Sequence, residues 1–139
     1  MRYLLDTCVL SDFARGHINS LCRIKATPPD SVAVSVITEM EIEFGLALDA
    51  VRARRLAPVM HALLQTVAIL PYSSEDARAT STLRAALQKK GRPIGAYDAL
   101  IAGCALARGL VLVTSNEREF GRIGGLQTEN WRNDVPSAS

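Results

Sequence analysis

The hydrophobic residues of this chain fall into four short runs that are separated by longer stretches of mixed apolar and polar positions. The runs cover residues 3–5, 32–36, 67–70 and 110–113, and they are rich in leucine and β-branched side chains. Short apolar runs of this kind, bounded by polar or turn-forming residues, are typical of buried strands. A weaker pattern at residues 126–128, after a turn at Gly124 and Gly125, predicts a short edge strand.

The stretches between these runs carry helical periodicity. We predict helices that begin near residue 9 and that cover about 39–50, 51–66, 73–90 and 96–108. Ser73 and Asp76 fit a capping pair, Pro58 is a possible kink, and Gly109 ends the last of these helices. Strands that alternate with helices predict an α/β fold, with a mostly parallel sheet of four to five strands between helices on both faces.

Length and composition are those of one domain over residues 1–139, with a polar tail from about residue 131. The hydrophobic share is 48%, yet no apolar run approaches the roughly 20 residues of a membrane span. Asp6 comes too early for the apolar core of a signal peptide. We therefore expect a soluble, cytoplasmic protein without a membrane partner.

The net charge of +2 is small, but the positive charge is clustered. Clusters of this kind suit a polyanion such as RNA, and they are equally compatible with solvated helix faces. The basic residues concerned are Arg52, Arg54 and Arg55 in one cluster and Lys89, Lys90 and Arg92 in the other.

Acidic residues follow the predicted strands. In open parallel sheets, binding sites form beyond the carboxyl ends of the strands, so we expect these carboxylates at one edge of the sheet. They are Asp6 after the first strand, Glu39, Glu41 and Glu43 after the second, Glu117 and Glu119 after the fourth, and Asp98 at the start of the helix that precedes the fourth.

Each acid also has a purely structural explanation. Asp6 could cap a helix, Thr38 and Glu41 fit a capping box, and Asp98 would be favoured by the helix dipole. However, Asp98 lies within the apolar stretch IGAYDALIAGCALA, where an ionised carboxylate is costly without compensation. Clustered carboxylates repel one another, and a hard divalent cation relieves that repulsion. Acids without histidine or cysteine favour Mg²⁺ or Mn²⁺, and hence a phosphate-ester substrate.

Four stretches, spread over nearly the full chain, together resemble the PIN-domain family, and within it the VapC toxins of type II toxin–antitoxin systems. They read LLDTCVLSD, SVITEMEIEFGL, IGAYDALIAGCALARG and LVTSNEREFGRIGGLQTENW. The resemblance implies a PIN-like three-layer α/β/α fold and an Mg²⁺- or Mn²⁺-dependent ribonuclease. It also implies a homodimer that a VapB-like antitoxin inhibits in a hetero-oligomer.

Carried over by position, the resemblance implies that Asp6 and Asp98 hold the metal and that Glu41, rather than Glu39 or Glu43, acts through water or on a second metal. In the same way, T-x-N-x-x-[DE]-F offers Glu119 as a fourth catalytic acid. The list of supporting residues is Thr7, Thr114 and Asn116, the last standing where many PIN domains have an aspartate.

The expected function is therefore an endoribonuclease toxin, with tRNA as one candidate substrate. One alternative is a non-catalytic RNA- or protein-binding module with the same fold, which the intact Asp6, Glu41 and Asp98 argue against. Another is a small-molecule phosphatase with an aspartyl nucleophile at Asp6. Phosphatases of the haloacid dehalogenase type need D-x-D, whereas this chain has Cys8 at the second acidic position.

Overall fold

The computed structural model describes residues 1–133. Its core is a five-stranded sheet in the order β3-β2-β1-β4-β5, and all four strand pairs are parallel. The α/β prediction is confirmed, and each predicted strand lies within about two residues of an observed one. The strands are β1 (Tyr3–Leu5), β2 (Val32–Ser35), β3 (Ala68–Leu70), β4 (Val111–Val113) and β5 (Thr128–Glu129).

Successive residues of the central strands point to opposite faces of the sheet, as strand geometry requires. Leu4 and Leu112 belong to one hydrophobic cluster, while Leu5 and Val113 belong to another. Both clusters include buried helical residues, so helices cover both faces of the sheet. This is the three-layer arrangement that we predicted. The helices are α1 (Thr7–Ala14), α2 (Ile18–Ala26), α3 (Val36–Leu48), α4 (Ala50–Thr66), α5 (Ser74–Lys89), α6 (Ala96–Arg108) and α7 (Glu117–Phe120), with a 3₁₀ turn at Pro29–Ser31.

The starts of two helices show where the local sequence predicts a helix N-terminus correctly and where it does not. The capping box of α5 forms between Ser73 and Asp76, as predicted. Helix α3, in contrast, begins three residues earlier than predicted, because the Ser35 hydroxyl accepts a hydrogen bond from the Ile37 amide at 3.1 Å. Thr38 is therefore inside the helix and fully buried, and the capping box that we considered for it does not form.

Helices α5 and α6 pack very closely, which fixes the position of the α6 N-terminus. A Cβ atom placed on Gly103 would lie 1.9 Å from Thr80 Oγ1. Only glycine permits this approach. At its other end, α6 closes on Gly109, whose φ of 65° is left-handed.

The predicted polar tail begins with a buried aromatic residue. Trp131 is 1% exposed and meets the Tyr3 ring edge-on at 5.3 Å. Arg132, the next residue, binds Asp12 of α1 through two hydrogen bonds of 2.6 and 2.7 Å. The rest of the predicted tail, residues 134–139, lies outside the described residues. Within residues 1–133, no helix combines the length and the apolar character needed to cross a bilayer.

Candidate active site

Asp6 stands where β1 ends and α1 begins. Its Oδ1 accepts a hydrogen bond from the Thr7 amide at 2.8 Å, and it is the N-cap residue of α1. Its Oδ2 accepts from the Thr114 hydroxyl, also at 2.8 Å. Thr114 follows β4 directly, and the parallel pairing of β1 with β4 brings the two strand ends together. Both carboxylate oxygens are thus held, and Asp6 is only 5% exposed.

Glu41 is connected to Asp6 through Thr7. The Thr7 hydroxyl donates to Glu41 Oε1 at 2.9 Å, while the Thr7 amide binds Asp6. Partial burial raises the pKa of Glu41, and the negative charge of Asp6 raises it further, although the Thr7 hydrogen bond opposes both effects. Of the neighbouring acids, Glu43 contacts His61 at 2.7 Å instead.

Asp98 occupies the first turn of α6, where Gly95 is the N-cap residue and provides no side-chain cap. Burial raises the pKa of Asp98 from 3.8 to about 6, with added contributions from the charges of Asp6, Glu41 and Glu119. The helix dipole should favour the ionised form at this position, so desolvation and neighbouring carboxylates outweigh it. Asp98 therefore shares one electrostatic field with all three of the other predicted site acids.

The two predicted site residues that follow β4, Asn116 and Glu119, are connected to the other site residues in different ways. The backbone amide of Asn116 donates to Thr114 Oγ1 at 3.0 Å, but the Asn116 side chain is exposed and does not cap α7. Glu119, on the short helix α7, is half-buried and forms an ion pair with Arg122. The structure thus connects Asn116 to the site through its backbone, and Glu119 through its charge.

Cys8 belongs to the same cluster, although our sequence reasoning used it only to exclude a phosphatase motif. Its Sγ lies 3.4 Å from Asp6 Oδ2 and accepts a hydrogen bond from the Ser115 amide at 3.4 Å. Burial raises the pKa of the Cys8 thiol, and the Asp6 charge raises it further. The group thus remains a neutral S–H donor to Asp6. Its place in the first turn after Asp6 was the available sequence signal.

The charge balance separates Asp6 from the other buried acids. Asp12 and Asp76 are equally buried, and each has an arginine partner, at 2.6 Å from Arg132 and 3.2 Å from Arg108 respectively. Asp6 has no such cation within the described part of the chain, and Glu41 and Asp98 have none there either. The three acids of the site therefore carry uncompensated negative charge.

Hard oxygen donors with uncompensated charge fit a divalent cation such as Mg²⁺ or Mn²⁺. Among residues 1–133, no three acidic, histidine or cysteine side chains already stand in an arrangement that would hold a metal ion.

Comparison with known proteins places this geometry in a family. The PIN domain model matches residues 3–126. The tRNA(fMet)-specific endonuclease VapC of Shigella flexneri is 41% identical over 131 residues, which cover 94% of this chain and 98% of the relative. The protein of the same description from Salmonella typhimurium is 42% identical with the same coverage.

A solved structure agrees. The crystal structure of DNA-bound VapBC from Salmonella typhimurium superposes with a TM-score of 0.86 at 35% identity, over 94% of this chain and 98% of that one. The chain therefore belongs to the PIN-domain family, among the VapC ribonucleases. Ribonucleases of this family depend on divalent metal ions, which the donor set described above suits.

Proposed function

We propose that this protein is the toxin of a VapBC-type toxin–antitoxin system, an endoribonuclease that uses Mg²⁺ or Mn²⁺ and cleaves tRNA in the cytoplasm. The observation that carries this proposal is the set of three carboxylates without a cation partner, Asp6, Glu41 and Asp98, at the carboxyl edge of the sheet. The names of the relatives support the choice of tRNA.

In this proposal Asp6 and Asp98 hold the metal ion, Glu41 acts through water, and Glu119 completes the site. A bound ion would supply an activated water molecule and would stabilise negative charge on the phosphoryl oxygens of the substrate. The remaining groups position these acids. Misplacing a reacting group by about 1 Å can cost about 10²-fold in rate, so this positioning is a direct contribution to catalysis.

Thr7 and Thr114 supply that positioning from two different strand ends. Thr7 fixes Asp6 through its amide and Glu41 through its hydroxyl, so one residue sets the separation of two acids. Thr114 fixes the second oxygen of Asp6 and accepts from the Asn116 amide, which ties the β4–α7 turn to the same carboxylate.

RNA must approach an acidic site, so neighbouring positive charge is needed. Arg52 supplies some of it, because it lines a groove of about 100 Å³ together with Thr7 and Glu41. Arg54 and Arg55 are exposed on the same helix. Binding through such residues releases counterions from the RNA, so we expect the affinity to fall with added salt.

The decisive experiment is cleavage of a purified tRNA pool by the purified protein, with Mg²⁺, Mn²⁺ or EDTA, beside Asp98→Asn. We expect discrete cuts that require the metal and that the variant does not make. Sequencing the new RNA ends then identifies the cut site. Equal cleavage by the variant or in EDTA would contradict the metal mechanism, and intact RNA with every metal would favour a non-catalytic binding module.

The partner in this proposal is a VapB-like antitoxin, and the toxin chain itself forms a homodimer. Solved structures of relatives include VapBC complexes, one of them bound to DNA. Uncompensated carboxylates suit an arginine from the partner, because a guanidinium binds carboxylates in a bidentate way. We expect co-expressed antitoxin to block cleavage, and a variant without that basic residue to bind but inhibit poorly. A partner that binds tightly without affecting cleavage would contradict this part of the proposal.

A further inference from the structure

The guanidinium group of Arg122 joins two separate segments of the chain. Its Nη2 forms an ion pair with Glu119 Oε2, one helical turn earlier in the α7 region. Its Nη1 donates to the carbonyl oxygen of Arg92 at 3.0 Å, and its Nη2 also reaches the carbonyl oxygen of Pro93 at 3.4 Å. The Arg122 side chain is 22% exposed, whereas the two loop residues that it contacts are exposed.

The two carbonyl groups belong to the loop that leads into α6. This loop joins α5 to α6 and ends at Gly95, which gives α6 no side-chain cap. The amides of Gly91 and Arg92 bind back to the end of α5. Arg122 therefore fastens this loop, which lies just before Asp98, to the α7 region through hydrogen bonds.

The ion partner of Arg122 is linked to the same acid through its charge. Glu119 is one of the charges that act on Asp98. A single arginine thus holds both the loop that leads into α6 and an acid whose charge acts on Asp98. Arginine suits this task because its planar fork binds a carboxylate and neighbouring carbonyl groups at once, whereas a lysine offers only a point charge.

We propose that Arg122 is a positioning residue of the metal site: it acts through Glu119, holding this carboxylate and the 91–95 loop in fixed places, so that Glu119 keeps its position relative to Asp98 at the start of α6. This inference rests on the metal-dependent function proposed above. Arg122 itself contacts neither the substrate nor the reacting atoms.

A double-mutant cycle tests this role. The variants are Arg122→Gln, Glu119→Gln and the double variant, with Arg122→Lys as the conservative change. Arg118→Gln is the matched control, because Arg118 is an exposed arginine of α7 without an ion partner in the described residues, and its loss removes the same formal charge. Mn²⁺ affinity is measured by electron paramagnetic resonance, and kcat and KM are measured on a model RNA, well below the melting temperature of every variant.

We expect Arg122→Gln to weaken Mn²⁺ binding about tenfold relative to Arg118→Gln, and to lower kcat by about 10–100-fold with little change in KM. Arg122→Lys should recover only part of this loss. In the Glu119→Gln background, replacing Arg122 should lower Mn²⁺ affinity and kcat only slightly further, because the carboxylate on which Arg122 acts is already absent.

Three results would overturn the proposal. Equal losses from Arg122→Gln in both backgrounds would show that Arg122 acts independently of Glu119. A raised KM with unchanged kcat, shared by Arg118→Gln, would make Arg122 an RNA contact. Tighter Mn²⁺ binding by Arg122→Gln than by Arg118→Gln would make Arg122 a competitor of the metal. If the parent protein binds Mn²⁺ but cleaves no RNA, the proposed function fails, and the cycle in Mn²⁺ affinity still decides the role of Arg122.

Discussion

Asp98→Asn should abolish RNA cleavage and, in metal-free protein at neutral pH, make the fold more stable. The carboxylate of Asp98 is partly desolvated and faces three other acids, and these effects raise its pKa from 3.8 to about 6. The folded state therefore holds the Asp98 proton more tightly than the unfolded chain does. Without a cation, an ionised Asp98 opposes folding, and asparagine removes this charge with almost no change in shape.

The magnitude follows from linkage. The full rise in pKa corresponds to about 3 kcal/mol at about 1.36 kcal/mol per pKa unit. Asp98 is partly exposed, and water screens its interactions, so we take about 1–2 kcal/mol as the gain at pH 7.5. For a chain of this size that is a rise in Tm of about 3–8 °C. The destabilisation is absent below the unfolded pKa, grows as pH rises from about 4 to 6, and is complete above pH 7.

Thermal melts of the parent and of Asp98→Asn in EDTA, from pH 4 to pH 7.5, measure this difference. The two curves should nearly coincide at pH 4 and separate as the pH rises. Asp30→Asn, which removes an exposed acid from the 3₁₀ turn far from the site acids in sequence, is the control and should show no such separation. Added Mn²⁺ should stabilise the parent and not the variant, because only the parent binds it well. A variant that melts at or below the parent at pH 7.5 would refute the electrostatic argument.

Three further predictions address individual contacts. Glu41→Gln should lower kcat by about 10²-fold, whereas Glu43→Gln should change it less than about threefold, since Thr7 positions only Glu41; RNA-cleavage kinetics that reverse this order would contradict our assignment. Asp6→Asn should lose activity yet retain the helix cap, so urea titrations should find Asp6→Ala less stable than Asp6→Asn by about 1–2 kcal/mol; equal stabilities would mean that the cap contributes nothing. Gly103→Ala should reduce the free energy of unfolding by about 1–3 kcal/mol, because its Cβ would lie 1.9 Å from Thr80 Oγ1; an unchanged denaturation midpoint would mean that the two helices separate easily.

Strands β1 to β4 could be predicted because each is a short, mostly apolar run that ends at a clear polar or proline signal, whereas β5 is the dipeptide Thr128–Glu129 and gave only a weak pattern. Helix α6 was predicted from Ala96 to Arg108 and has those bounds in the structure, since Gly95 precedes it and Gly109 ends it in a left-handed conformation. The capping box of α5 is equally local in the sequence. Where neighbouring residues alone decide the conformation, sequence reasoning was sufficient.

Helices α2 and α7 were not predicted, because their signals are weak or distant. Helix α2 begins at Ile18 and has His17 as its N-cap residue, an uncommon cap whose ring nitrogen lies 3.5 Å from the Ser20 amide nitrogen. Helix α7 has only four residues, too few to show a helical period. Its Glu119 is held by Arg122, which also reaches a loop about 30 residues earlier in the chain. A contact between residues so far apart in the sequence cannot be predicted from a local sequence pattern.

The sequence alone could not decide whether Asp6 is a helix cap or a functional acid, and the structure shows why the two roles are compatible. Only Asp6 lies between the end of β1 and the start of α1, so the residue at the edge of the sheet is also the N-cap, and the amide that it caps orients its carboxylate. The informative comparison is with Asp12, which is just as buried and has the guanidinium of Arg132 as its partner. That arginine lies 120 residues away in the sequence. Only the folded chain therefore shows that the charge of Asp12 is balanced by an arginine and that the charge of Asp6 is not. A buried carboxylate that has strong hydrogen-bond donors and no cation is costly for folding alone, and a bound divalent ion would remove that cost.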